Sequence, residues 1–125
     1  MPEYAVAAVM IHVGNVPEAL AWYQRAFPDA VRQRLPDSDF EYLCLGNVNL
    51  ELVPSDVKVP SGPAGSVVYW QVRNFEASLQ HFQAIGARLY RGPMLIENGQ
   101  AICQVQDPWG NCIGLRGPST ESRQS

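Results

Sequence analysis

The feature that most constrains this chain is a repeat of element order, in which strand, helix and three further strands are written twice. Residues 5–13 (Ala-Val-Ala-Ala-Val-Met-Ile-His-Val) are apolar and end in Gly14-Asn15. Their length and their Val and Ile content predict a strand covered on both faces. Asn15 fits a helix N-cap, with Pro17 in the first turn and Glu18 three residues after the cap. Val16, Leu20, Tyr23 and Phe27 then recur at helical spacing, Ala19 and Ala26 widen the stripe, and Phe27-Pro28-Asp29 ends it. Three short strands are predicted over 30–35, 39–46 and 48–54, separated by turn signals at 37–39 and Gly46-Asn47.

The second copy opens at 66–73, with Asn74 in the place of Asn15. Phe75, Leu79, Phe82 and Ile85 form its helical stripe, and Gly86 suits the left-handed residue that closes a helix. Strands are predicted near 87–91, 99–107 and 111–117. Superposing the two caps pairs Val13 with Val72 and His12 with Gln71. Module one is placed at about 4–54, a Pro/Gly/Ser-rich linker at 55–65, module two at 66–118 and a disordered tail at 119–125. A half of this size buries its faces poorly alone, so the two sheets are expected to form one α+β domain.

Composition removes several alternatives. Apolar residues make up 46% and charged residues 17%, which supplies a core and argues against disorder. Twelve acids against nine bases give a net charge of -3, which argues against a nucleic-acid partner. No apolar run approaches the roughly 20 residues of a membrane span, and the start Met-Pro-Glu-Tyr lacks a secretory pattern. Three cysteines without a C-x-x-C spacing do not suit a disulfide framework or a zinc knuckle. A cytoplasmic protein is the expectation.

The segments 12–23 (His-Val-Gly-Asn-Val-Pro-Glu-Ala-Leu-Ala-Trp-Tyr), 49–54 (Asn-Leu-Glu-Leu-Val-Pro), 85–87 (Ile-Gly-Ala) and 107–111 (Asp-Pro-Trp-Gly-Asn) carry a family likeness. Together with the duplication they resemble the glyoxalase/bleomycin resistance/extradiol dioxygenase superfamily, the vicinal oxygen chelate proteins, from about Tyr4 to Pro118. Phe27-Pro28 departs from the Leu-Gly that many relatives carry after the first helix. The resemblance implies two βαβββ modules whose mixed sheets curve around a shared cavity. It also implies metal ligands on the first and last strands of each module, at positions matching Ala8, Glu51, Val67 and Gly114. Of these, only Glu51 has a donor side chain, whereas a catalytic metal wants about three protein ligands. No metal and no cofactor are therefore expected. A homodimer is expected, as is common among such relatives.

Strand alternation extends these positions to a cavity lining. Met10, His12, Glu51, Tyr69, Gln71 and Arg116 are the candidate ligand contacts, with Cys112, Asn49 and Val53 beside them. His12 and Glu51 are the candidate catalytic pair, imidazole suiting proton transfer and the carboxylate serving as base or tautomer-fixing partner. Arg116 is a candidate partner for Glu51. Trp70, Cys44 and Cys103 read as core, Trp22 as partly buried, and His81, Arg88 and Arg91 as solvated. The leading expectation is a metal-free binder of a small aromatic or cationic molecule, like the bleomycin-resistance relatives. The alternatives are a glyoxalase-like lyase or isomerase using His12 and Glu51, metal-free or with a non-standard metal site, and a scaffold without turnover.

Overall fold

A computed structural model describes residues 5–121, and the chain divides between Ser61 and Gly62 into two compact units. Tyr4, where module one was expected to begin, and the last four residues of the expected tail lie outside the described residues. The first unit runs β1 (Ala8–Val13), α1 (Val16–Ala26), β2 (Val31–Arg34), β3 (Glu41–Leu45) and β4 (Val48–Pro54). The second runs β5 (Tyr69–Gln71), α2 (Phe75–Ala84), β6 (Arg88–Leu95), β7 (Gln100–Gln106) and β8 (Cys112–Pro118), with a 3-10 turn at Glu97–Gly99. The predicted order is thus present twice. Each unit holds a four-stranded mixed sheet, ordered β1-β4-β3-β2 and β5-β8-β7-β6, in which only the β1–β4 and β5–β8 pairs are parallel.

Both helices begin where the asparagines direct. The Asn15 side-chain oxygen accepts from the Glu18 N–H at 3.0 Å, and that of Asn74 from the Ala77 N–H at 3.0 Å. Gly86 has φ 105, the left-handed conformation that glycine adopts most readily. In the first unit α1 places Leu20, Trp22 and Tyr23 against Val13, Leu43, Leu50 and Leu52, all buried. Trp22 is more deeply covered than expected, at 3% exposed and edge-on to Tyr23. In the second unit Phe75 and Phe82 are buried with Cys103, Val105 and Leu115. Trp70, expected in the core, is half-buried.

Three departures from the sequence reading have physical reasons. β1 alternates between exposed and covered residues, with Met10 55% exposed, so only its helix-facing side is covered. An apolar run cannot by itself distinguish one covered face from two. Cys44 is half-buried because it pairs with Asn49, off the Leu43–Leu50 row that packs inward. β6 runs on to Leu95 through Gly92-Pro93, and its register with β7 slips between Leu89 and Arg91 and again between Arg91 and Met94. Those bulges let an edge strand carry a proline that a regular central strand would reject.

Beyond β8, residues 119 and 120 are held, although the sequence suggests a loose end there. The Ser119 hydroxyl donates to Glu76 Oε2, the Thr120 N–H to Glu76 Oε1 at 3.2 Å, and the Ser119 N–H to the Gly99 carbonyl at 2.9 Å. The Ser119 hydroxyl bond is the main cause that lowers the Glu76 pKa below 4.5. A depressed carboxyl stabilises the fold fully above its unfolded pKa and loses that effect as pH falls through the folded value. Thermal unfolding of the wild type is therefore expected to become acid-sensitive below pH 4.5, and Ser119→Ala to reduce that sensitivity. Identical acid limbs for the two proteins would contradict this assignment.

Candidate functional site

In each unit one face of the sheet carries the helix and the other is open, and register decides which side chains share the open face. In the first unit Met10 pairs with Glu51 and His12 with Val53. Paired residues and alternate residues share a face, so Met10, His12 and Glu51 stand together on the open side. His12 is one diagonal step from Glu51. Glu51 is half-buried between Leu50 and Leu52, which are fully buried on the opposite side, so its carboxylate does not enter the core. The His12 carbonyl accepts the Ser61 hydroxyl proton, which ties the end of the first unit to β1.

The second unit repeats this register with different chemistry. Tyr69 pairs with Gly114 and Gln71 with Arg116. Met10–Glu51 and Tyr69–Gly114 are therefore equivalent pairs, as the sequence alignment of the caps requires. Gln71 and Arg116 are both exposed on the open face. The Tyr69 ring lies flat on Gly114, where a β-carbon at 114 would come within 2.6 Å of two ring atoms. The Gln104 side-chain amide donates to the Tyr69 hydroxyl at 2.9 Å.

Next to this ring the sheet forms a hollow of about 290 Å³, lined by Tyr69, Arg91, Pro93, Met94, Ile102 and Gln104, together with Gly92 and Cys103. The β6 bulges build it. Gly92 has φ 83, and a β-carbon there would stand 3.0 Å from the Ile102 carbonyl oxygen, so the backbone folds close to β7. The shifted register then brings Arg91 opposite Gln104, on the same face as Tyr69. Sequence reading took Arg91 as solvated, and it is exposed, but its place in this lining and those of Gln104, Pro93 and Met94 were missed. The missed signal was Gly92-Pro93 inside a strand, which marks a bulge beyond which counting by twos no longer assigns faces.

The thiols offer no activated nucleophile on this face. Burial pushes Cys103 up to about 11, and burial followed by the Asp107 charge raises Cys112. Asp107 itself shapes the β7–β8 hairpin. It is 2% exposed and accepts from the Trp109 N–H at 2.9 Å, the Asn111 N–H at 2.8 Å and the Asn111 side-chain amide at 3.2 Å.

A metal of the kind the resemblance implies does not fit these residues. Ala8, Val67 and Gly114 offer no donor atom, and the Tyr69 ring occupies the space a side chain at 114 would need. Among the described residues no three His, Cys, Asp or Glu side chains gather as a metal set. None of their helices is long and apolar enough to cross a membrane.

The fold recurs among solved structures. A glyoxalase/bleomycin resistance protein/dioxygenase superfamily member from Sphaerobacter thermophilus aligns with a TM-score of 0.71 at 16% identity, covering 91% of this chain and 97% of its own. A family enzyme from Burkholderia phytofirmans aligns at 0.72 and 17% identity, covering 91% and 98%. An antibiotic-binding protein from a Streptomyces species aligns at 0.70 and 22% identity, covering 95% and 99%. The chain therefore has the α+β fold of the glyoxalase/bleomycin resistance/dioxygenase structures, over both modules. No family model matches the sequence, and neither does any curated protein.

Proposed function

We propose that the protein binds a small aromatic molecule on the open sheet face of module two, without a metal, in the manner of a bleomycin-resistance-type sequestering protein. The observation that carries this reading is the hollow beside Tyr69, whose Pro93, Met94 and Ile102 walls are apolar and whose polar groups are few. A tyrosine ring fixed on Gly114 offers a flat stacking surface. The antibiotic-binding function of the Streptomyces structure supports the same reading. Of the two ligand characters the composition suggests, the aromatic one matches this lining. A cation would face Arg91. Gln71 and Arg116 extend the same face and are proposed as outer contacts.

Thermal denaturation against a panel of bicyclic aromatic compounds tests the proposal. A bound compound at a hundred times its Kd is expected to stabilise the fold by about 2.7 kcal/mol. Met94→Glu, a change at a 57% exposed position, is expected to leave the unliganded melting temperature unchanged and to weaken binding about tenfold. A flat response across the panel would refute the reading. The proposal includes pairing of two copies, supported by the exposed Leu89, Tyr90 and Leu95 on the β6 edge. Sedimentation showing monomer alone would remove that element.

One observation favours a second reading, turnover by module one. His12 and Glu51 lie on the open face of two paired strands, one diagonal step apart in register, and an imidazole and a carboxylate are the groups that proton transfer uses. His12→Ala and Glu51→Gln would then each abolish isomerisation of a small carbonyl substrate while the fold survives. Under the binding reading neither change affects the module-two site.

A further inference from the structure

We infer that the molecule taken up by the module-two hollow is an aromatic acid, its ring against Tyr69 and the apolar walls and its carboxylate on the Arg91 guanidinium. This rests on the binding reading above and adds the charge of the ligand. No carboxylate lines the hollow, and Arg91 is its one charged side chain. Among the described residues Arg91 pairs with no carboxylate, whereas Arg32 and Arg34 both engage Glu41. Among the described residues the guanidinium thus has no carboxylate partner, and its fork of donors matches a carboxylate with two parallel hydrogen bonds.

Two further groups point the same way. The Tyr69 oxygen already accepts from Gln104, so its own proton remains to donate toward the hollow. The bulges at Leu89/Arg91 and Arg91/Met94 bring this arginine onto the open face of an edge strand. The net charge of the chain is -3, so the preference belongs to this site and opposes the overall charge.

The test is titration of the full chain with 2-naphthoate, 2-naphthamide and 2-naphthylmethylammonium, followed by tryptophan fluorescence. Naphthoate is expected to bind about tenfold more tightly than the amide at low salt, and the difference should shrink as salt rises. In Arg91→Gln the naphthoate-to-amide ratio should fall to near one, and in Arg91→Lys it should be partly retained. Equal affinity for naphthoate and amide, or a preference for the ammonium, overturns the inference and leaves the aromatic-binding reading standing. Failure of all three probes to bind overturns both.

Discussion

Gly117→Ala is expected to lower the unfolding free energy by about 3 kcal/mol, which for a chain of this size is a fall in melting temperature of roughly 10 °C. Gly117 is buried in β8 opposite Ala101, and a β-carbon there would drive into the Val72 carbonyl oxygen. That atom belongs to the backbone at the point where β5 leaves the sheet for the Asn74 cap, and the Val72 N–H is already bonded to the Arg116 carbonyl at 2.8 Å. Relief therefore means parting two strands. Gly114→Ala gives the comparison. Its new β-carbon meets side-chain atoms of Tyr69 and not a backbone carbonyl, so its stability loss is expected to be smaller. Calorimetry of both variants checks the ordering, and an equal or reversed order would contradict it.

Asp107→Ala should be nearly as costly, about 3 kcal/mol, because it removes one carboxylate that serves three donors. The loss is not confined to the turn. Asn111, held by Asp107 through both backbone and side chain, uses its side-chain Oδ1 to accept from the Gly62 N–H at 2.9 Å. Loosening the hairpin thus frees the entry segment of the second unit as well. Asp107→Asn keeps an acceptor at the same place and is expected to lose about half as much. Chemical denaturation of the two variants measures the difference. A wild-type midpoint for Asp107→Ala would show that solvent replaces the carboxylate without loss.

The fold was legible in the sequence because local signals and long-range pattern agreed. Asn15 and Asn74 mark both helix starts, and the stripe through Leu20 and Tyr23 packs as its spacing requires. Glu51 and Gly114 were matched as equivalent last-strand positions, and the strand registers show the same pairing, Met10 with Glu51 and Tyr69 with Gly114. Along the regular strands, counting by twos was enough to find an open face. It was not applied to β6, which was read only as a strand near 87–91, and there each bulge adds a residue that the partner strand lacks and reverses the faces beyond it. Arg91 was hidden for that reason. Gln104 was hidden because its role depends on reaching a tyrosine 35 positions away in sequence.

The contact between Tyr69 and Gly114 also bears on how such a chain is able to change over generations. A coordinating side chain introduced at 114 alone would strike an aromatic ring before it reached any ion. Making room for it means displacing the Tyr69 side chain, which gives up its bond with Gln104. Placing a donor side chain on this strand position therefore takes two exchanges, one at 69 and one at 114, and not a single substitution.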